Sequence, residues 1–288
     1  MDNKNIFIHF ESVSAQRADT FAPYSLAKNQ ERVKHHLERN DGPQWHGMEG
    51  GAPAVLATIE NGYPEGERKI AEFHDSIAAT LPRALGHHRT RVRGSFGDEL
   101  DVHSLNRGAF DRAWSSSARK IKQGSGILRL CIDIGGNCTV SAEALQWRGI
   151  AGMSLCEVMS RAGYSVEIVA CFAASNPDEN DSINAVVSTV IKPRSSKADM
   201  GLLAATVTLP GYFRSLGFCS IIRCCDKEKK FADNGLGQII EASGVLPVPE
   251  KITQLFVPSS VMNKDSATEW INQSVALLQG AVAAERRK

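Results

Sequence analysis

The feature that most constrains the fold is a strand–turn–helix–strand run in the second half of the chain. The stretch GILRLCIDI, ending at Asp133, is a short apolar run suited to a buried strand. Gly135 and Gly136 then turn the chain. Ser141 follows as a helix N-cap, with Val140 and Leu145 at the staple positions on either side. Ala144, Ala151, Leu155, Val158 and Ala162 recur as one inner stripe, and Gly163 closes the helix. YSVEIVACFAAS is the next strand.

The pattern continues. NAVVSTVIKP alternates as an edge strand does, 202–216 reads as a helix interrupted at Pro210, and GFCSIIRCC and ITQLFVPSS read as a fourth and a fifth strand. SATEWINQSVALLQGAVAAERRK closes as a helix capped at Ser266. Strands alternating with helices predict an α/β fold: a mostly parallel central sheet with helices on both faces, over 126–288. The polar run SSSARKIKQGSG places a boundary near residue 125.

Residues 1–125 are expected to form a smaller α+β or irregular region packed on that sheet. NIFIHF reads as an edge strand, AKNQERVKHHLERN as a solvated helix and GPQWHGMEGGAP as a loop. Ile70, Phe73, Ile77 and Leu81 give an apolar helical face after Pro64. HHRTRVRGSFGDELDVHSL alternates like a hairpin, and NRGAFDRAWSSSARKI reads as a short helix. Trp147, on the long helix, is placed to pack the N-terminal region against the sheet.

The 288 residues are 42% apolar and 23% charged, as in an ordinary soluble globular protein, with a net charge of +1. That charge gives no global field toward nucleic acid or a membrane. No apolar run reaches a membrane span, and the N-terminus turns polar at once, so a cytoplasmic location without membrane contact is expected. The seven cysteines contain no C-x-x-C pair and read as reduced core fillers. All eight histidines end at His103, before the first cysteine, Cys131. A mixed zinc site would have to bridge the two halves.

Asp133 stands at a strand's carboxyl end, where such sheets bind ligands. The P-loop and dinucleotide glycine patterns are absent. IDIGGN resembles the first phosphate loop of the actin, sugar-kinase and heat-shock ATPase superfamily, which implies ATP binding centred on Asp133. The residues after the turn are helical, whereas that family continues into a hairpin strand.

A strand, an Asp-x-Ser-x-Ser-like turn, a long helix, a strand and a short edge strand resemble the opening of a von Willebrand factor A-like domain. RSSKADMGLLAATVTLPGYFRSLGF is similar to that fold's central loop and helix. In the family, turn serines, a loop threonine and aspartates bind a divalent ion. Carried over, Asp133 begins the turn, Gly135 and Asn137 hold the two serine positions, Ser195 or Ser196 the threonine loop, and Asp226 the distal acid. Gly135 has no side-chain oxygen, and magnesium demands near-octahedral oxygen coordination. The resemblance therefore implies a degenerate site with no cofactor; magnesium is the ion a working copy would hold. NGYPEGERKI and GDELDVHSLNRGAFDRAW, with the Asp133 turn, resemble an uncharacterised family encoded by bacteriophages and plasmids, from about Gln44 to Phe218.

Arg89, Arg91 and Arg93 alternate in RTRVRG, as a phosphate-contacting arm or as a solvated hairpin face; aromatic residues for base stacking are missing. Asp98, Glu99 and Asp101 read as a solvated acidic turn. Cys224 and Cys225, near Lys227 and Lys229, read as a reactive thiol or as core. The function expected is a non-catalytic interaction or scaffold module of a phage or plasmid. It would meet a protein partner, an ATPase for example, through Gly135, Gly136 and Asn137. The alternatives are a nucleic-acid accessory protein using the three arginines, and an enzyme, divalent-metal-dependent binder or ATP-binding protein centred on Asp133, with Asn137 and Asp226.

Overall fold

The structure, a computed structural model, describes residues 4–78, 89–94, 99–100, 105, 108, 110, 113–119, 126–177, 182–194, 196, 198–228, 236–250 and 252–285. The chain opens with β1 (Lys4–Phe10) and α1 (Val13–Phe21), whose N-cap Ser12 accepts from the Ala15 amide. α2 (Ala27–Glu38), α3 (Pro43–His46), α4 (Gly51–Asn61) and α5 (Pro64–Ala78) follow. The stretch expected as a loop is thus mostly helical. Pro43 starts α3 at a position where its missing N–H costs nothing, and Gly47, at φ +81°, ends it. Val55 and Ile59 then bury one side of α4 at helical spacing.

β2 (Arg89–Gly94), β3 (Glu99–Leu100) and β4 (Trp114–Arg119) form a separate antiparallel sheet in the order β2-β4-β3. The expected hairpin is therefore bridged by a third strand. That strand covers Trp114–Arg119, which had read as part of a helix; its serine run favours alternatives to helix. Leu81, Asp98 and Asp101 lie outside the described residues.

The main sheet draws on both ends of the chain. Its elements are β5 (Ile127–Asp133), α6 (Ala142–Arg161), β6 (Ser165–Pro177), β7 (Ser182–Lys192), α7 (Met200–Val207), α8 (Pro210–Tyr212), α9 (Phe218–Lys227), β8 (Gln238–Ile240), β9 (Thr253–Val257) and α10 (Lys264–Glu285). The strand order is β1-β7-β6-β5-β9, with β8 also on β6. β1–β7, β5–β6 and β5–β9 are parallel; β6–β7 and β6–β8 are antiparallel. This mostly parallel six-stranded sheet with helices is consistent with a Rossmann-like or von Willebrand factor A-like α/β fold.

β7 is not an edge. β1 pairs along it from Lys4↔Ile183 to Phe10↔Thr189 and takes the edge position itself. The polar residues that gave β7 its edge-like alternation have partners: Thr189 donates to Gln16, and Ser188 meets His9. GFCSIIRCC is helical, not a strand. A π-helical turn over Phe213–Gly217 runs straight into α9, whose Cys219 and Ile222 pack against Val33 while Ile221 and Cys224 enter the main core. A short apolar run bounded by a glycine fits a strand or a buried helix segment by length alone. The last helix is capped by Asn263, which accepts from the Ser266 amide, while the Ser266 hydroxyl accepts from the Asn263 amide.

One face of the sheet presents Leu130, Ile132, Ile168, Phe172 and Val187 to a core shared with the helices. The opposite face, with Cys131, Val169, Cys171 and Val186, packs against Ala242, Ile240, Val245 and Leu246. The described α-helices thus gather on the first face, and a short 3-10 turn (Ala242–Gly244) sits over part of the second. α6 is central to the helical layer. It touches β5, β6, α5, α7 and α10, and Trp147 meets Phe73 of α5 edge-to-face at 5.4 Å.

α6 comes close to its neighbours at glycines. A Cβ on Gly149 would lie 2.0 Å from the Val207 carbonyl oxygen, and one on Gly152 would lie 2.6 Å from Ile132. Gly149→Ala is therefore expected to destabilise by about 3 kcal/mol, through overpacking against backbone. Urea denaturation measures it. A free helix position would instead gain roughly 1 kcal/mol from alanine, so a stabilised variant would contradict the close approach.

Candidate functional site

β5 ends at Asp133, opposite Cys171, and the Ile134 amide donates to the Cys171 carbonyl at 2.9 Å. Beyond that point β8 takes the place beside β6, with Ala173 opposite Ile240. The space past the strand end, where α/β sheets commonly receive ligands, is thus occupied by the chain itself. Asp133 holds this arrangement. One carboxylate oxygen accepts the Gly135 amide at 2.9 Å and the other the Ala242 amide at 3.0 Å. The residue is 5% exposed.

Burial pushes the Asp133 pKa up to about 6, against the two amides and Arg148, which favour the ionised form. Arg148 of α6 is buried too. It donates to the carbonyls of Gly135 (2.7 Å) and Ser259 (3.2 Å), tying the turn to the chain after β9. Glu241 accepts from Ser259, chiefly its hydroxyl, and this contact holds its pKa below the usual range. The glycines are closely packed. A Cβ on Gly135 would crowd Ile239 and Phe172 at 3.0–3.1 Å, and one on Gly136 would reach Leu145 at 2.9 Å.

The other residues singled out in the sequence are dispersed. Gly135 and Gly136 are buried, and Asn137 is exposed in the loop before α6. Asp226 sits near the end of α9, not after a strand. It accepts from the amides of Ser25 and Leu26 and from Asn29, fixing the start of α2, and shares no partner with Asp133. Ser195 lies outside the described residues, and Ser196 bonds the Pro193 carbonyl in its own turn. Arg89, Arg91 and Arg93 occupy alternate positions of β2, with Arg89 opposite Arg119. Among the described residues, no three His, Cys, Asp or Glu side chains are placed to hold a metal ion. Of the seven cysteines only Cys138 is exposed, and burial pushes the Cys224 thiol up to about 12.

The loop carrying Asn137 leads into a cleft that sequence reasoning missed. It measures about 710 Å³ and lies between the α2–α3 connection, residues 138–143 and Arg214. α3 positions one wall by packing on the start of α8, where a Cβ on Gly47 would strike Pro210 at 2.8 Å. Arg214, in the π-helical turn, is 1% exposed. Its guanidinium stacks 4.1 Å from the Trp45 ring and donates to the carbonyls of Trp45 (2.7 Å) and Val140 (3.1 Å). The Nε of Arg214 and the indole nitrogen of Trp45 have no hydrogen-bond acceptor among the described residues. The available sequence signal is a lone cation inside the otherwise apolar TLPGYFRSLGF.

Replacing Asp133 by Ala would leave two buried amides without acceptors, for an expected loss of about 3 kcal/mol. That corresponds to roughly 5–10 °C in Tm. Asp133→Asn keeps one acceptor and is expected to lose less. Thermal melts of the three proteins at neutral pH measure this, and an unchanged Tm in Asp133→Ala would contradict the structural role.

No curated protein and no solved structure matches the chain. A family match does, over residues 2–279, nearly the whole length and both sides of the boundary expected near 125. No described helix is long and apolar enough to cross a membrane. The chain belongs to the family described as a domain of unknown function, DUF7192.

Proposed function

We propose that this chain is a non-catalytic recognition module of a bacteriophage or plasmid, working in the bacterial cytoplasm. In this reading its von Willebrand factor A-like sheet domain keeps the strand-end acid without the metal chemistry. The observation that supports it best is the state of Asp133. Each of its oxygens accepts a backbone amide and the residue is 5% exposed, which leaves a cation little access and fewer free lone pairs. Gly135 adds no side-chain oxygen, and Asp226 is engaged at the start of α2. The mobile-element origin is supported by the motifs around Gly62, Asp98 and Asp133 described above.

The surface left for a protein partner, a ring ATPase for instance, is the exposed loop of Asn137, Cys138 and Thr139 with the adjoining cleft. Exposed loops carried by a rigid scaffold are frequent recognition surfaces. A thermal melt with and without millimolar magnesium or manganese tests the metal-free reading. The expected result is an unchanged Tm, because an ion that does not bind the native state cannot stabilise it. A rise in Tm that Asp133→Asn abolishes would overturn the reading.

A further inference from the structure

The cleft beside Arg214 has the elements of an anion site, and we propose that it binds a small phosphate monoester. The proposal goes beyond the recognition reading: it assigns a ligand to the cleft that adjoins the Asn137 loop. Asp133 plays no part in it.

Three independent observations meet in this cleft. The first is the start of α6, a helix of 20 residues. The amides of Ala142 and Glu143 precede the first intrahelical partner, while the Ser141 hydroxyl takes the Ala144 amide at 3.1 Å. These two N–H groups, and the positive end of the helix dipole, border the cleft. The second is Arg214. It is almost wholly buried, pairs with no carboxylate among the described residues, and has an Nε without an acceptor. Two carbonyls and an aromatic face orient the guanidinium but leave its charge uncompensated. A buried charge without a counter-ion is costly, and an anion in the cleft would neutralise it.

The third observation is size. A volume of about 710 Å³ exceeds what a bare phosphate ion needs and falls in the range of small-molecule sites. The ligand is thus a phosphate group at the helix N-terminus attached to a small polar body. The acids at the cleft do not oppose this arrangement strongly. Asp41 is paired with Arg39, and Glu143 is exposed, where water and salt screen it.

The exposed Cys138 lines the same cleft and serves as a reporter, since the six other cysteines are buried. The rate of its alkylation by iodoacetamide is measured with ribose 5-phosphate, inorganic phosphate, ribose, or chloride at matched ionic strength. Ribose 5-phosphate at about ten times its Kd is expected to slow the reaction roughly tenfold by mass action. Ribose and chloride are expected to do nothing. Ala142→Pro removes one amide at the first helical position, where proline is accepted, and the preceding Ser141 is already extended (φ −65°, ψ 153°). This variant is expected to keep the wild-type Tm and lose most of the protection. Line broadening of the ribose 5-phosphate phosphorus signal gives a second readout that does not depend on the thiol. Protection by inorganic phosphate but not by the ester would overturn the ester assignment. Absence of both protection and broadening, or full protection in Ala142→Pro, would overturn the site. None of these results bears on the magnesium melt, so the two readings fail separately.

Discussion

The arrangement around the sheet's carboxyl end depends on one buried carboxylate sharing its oxygens between two backbone amides. Asp133 accepts from Gly135, which sets the turn out of β5, and from Ala242, which anchors the segment after β8. Because of the second contact, β8 continues the ladder on β6 where β5 stops. The same contact holds Ala242, Val245 and Leu246 over the second face of the sheet, against Cys131, Cys171 and Val186. An ionised group at 5% exposure is tolerable only with such hydrogen bonds. Burial nevertheless raises its pKa, so the charged form costs stability at neutral pH. That cost falls away as pH drops through about 6.

α6 carries the effect of this turn into the rest of the molecule. Its Arg148 fastens the glycine turn to Ser259, its Gly149 and Gly152 admit α7 and β5 at close range, and its N-terminus borders the cleft. Arg148 and Arg214, two of the three buried arginines among the described residues, differ in their surroundings. Arg148 lies near the carboxylates of Asp133 and Glu241 and binds the carbonyls of the turn it supports. Arg214 faces a cleft with no carboxylate paired to it. The first braces the turn; the second is the charge that the proposed phosphate would compensate.

The strand–turn–helix–strand unit from 127 to 177 was legible in the sequence because each signal agreed with the others. The apolar run, the Ser141 cap, the staple and Gly163 all point to the same boundaries. The close packing at Gly135 and Gly136 fits one of the two readings the sequence left open there, a tight turn beside a metal loop. What misled was burial on more than one side. The 218–227 helix is buried from Phe218 to Cys225, Ser220 and Arg223 included, and its short apolar run after Gly217 reads like a strand. β7 carries polar residues satisfied by Gln16 and His9 and reads like an edge. Asp226, expected after a strand, lies on the 218–227 helix instead. The cleft was illegible because it is assembled from three distant segments, with Trp45, Cys138 and Arg214 brought together only by the packing of α3 on α8.

The measurement that bears most directly on this account is the carboxyl titration of Asp133, followed by carbon NMR with and without magnesium. A carboxylate held by two amides in a buried, metal-free turn is predicted to titrate at about 6, with a signal indifferent to millimolar magnesium. Titration near the ordinary value of a solvated aspartate, or a midpoint that magnesium drives downward, would show that the oxygens are open to water or to a cation and would contradict it.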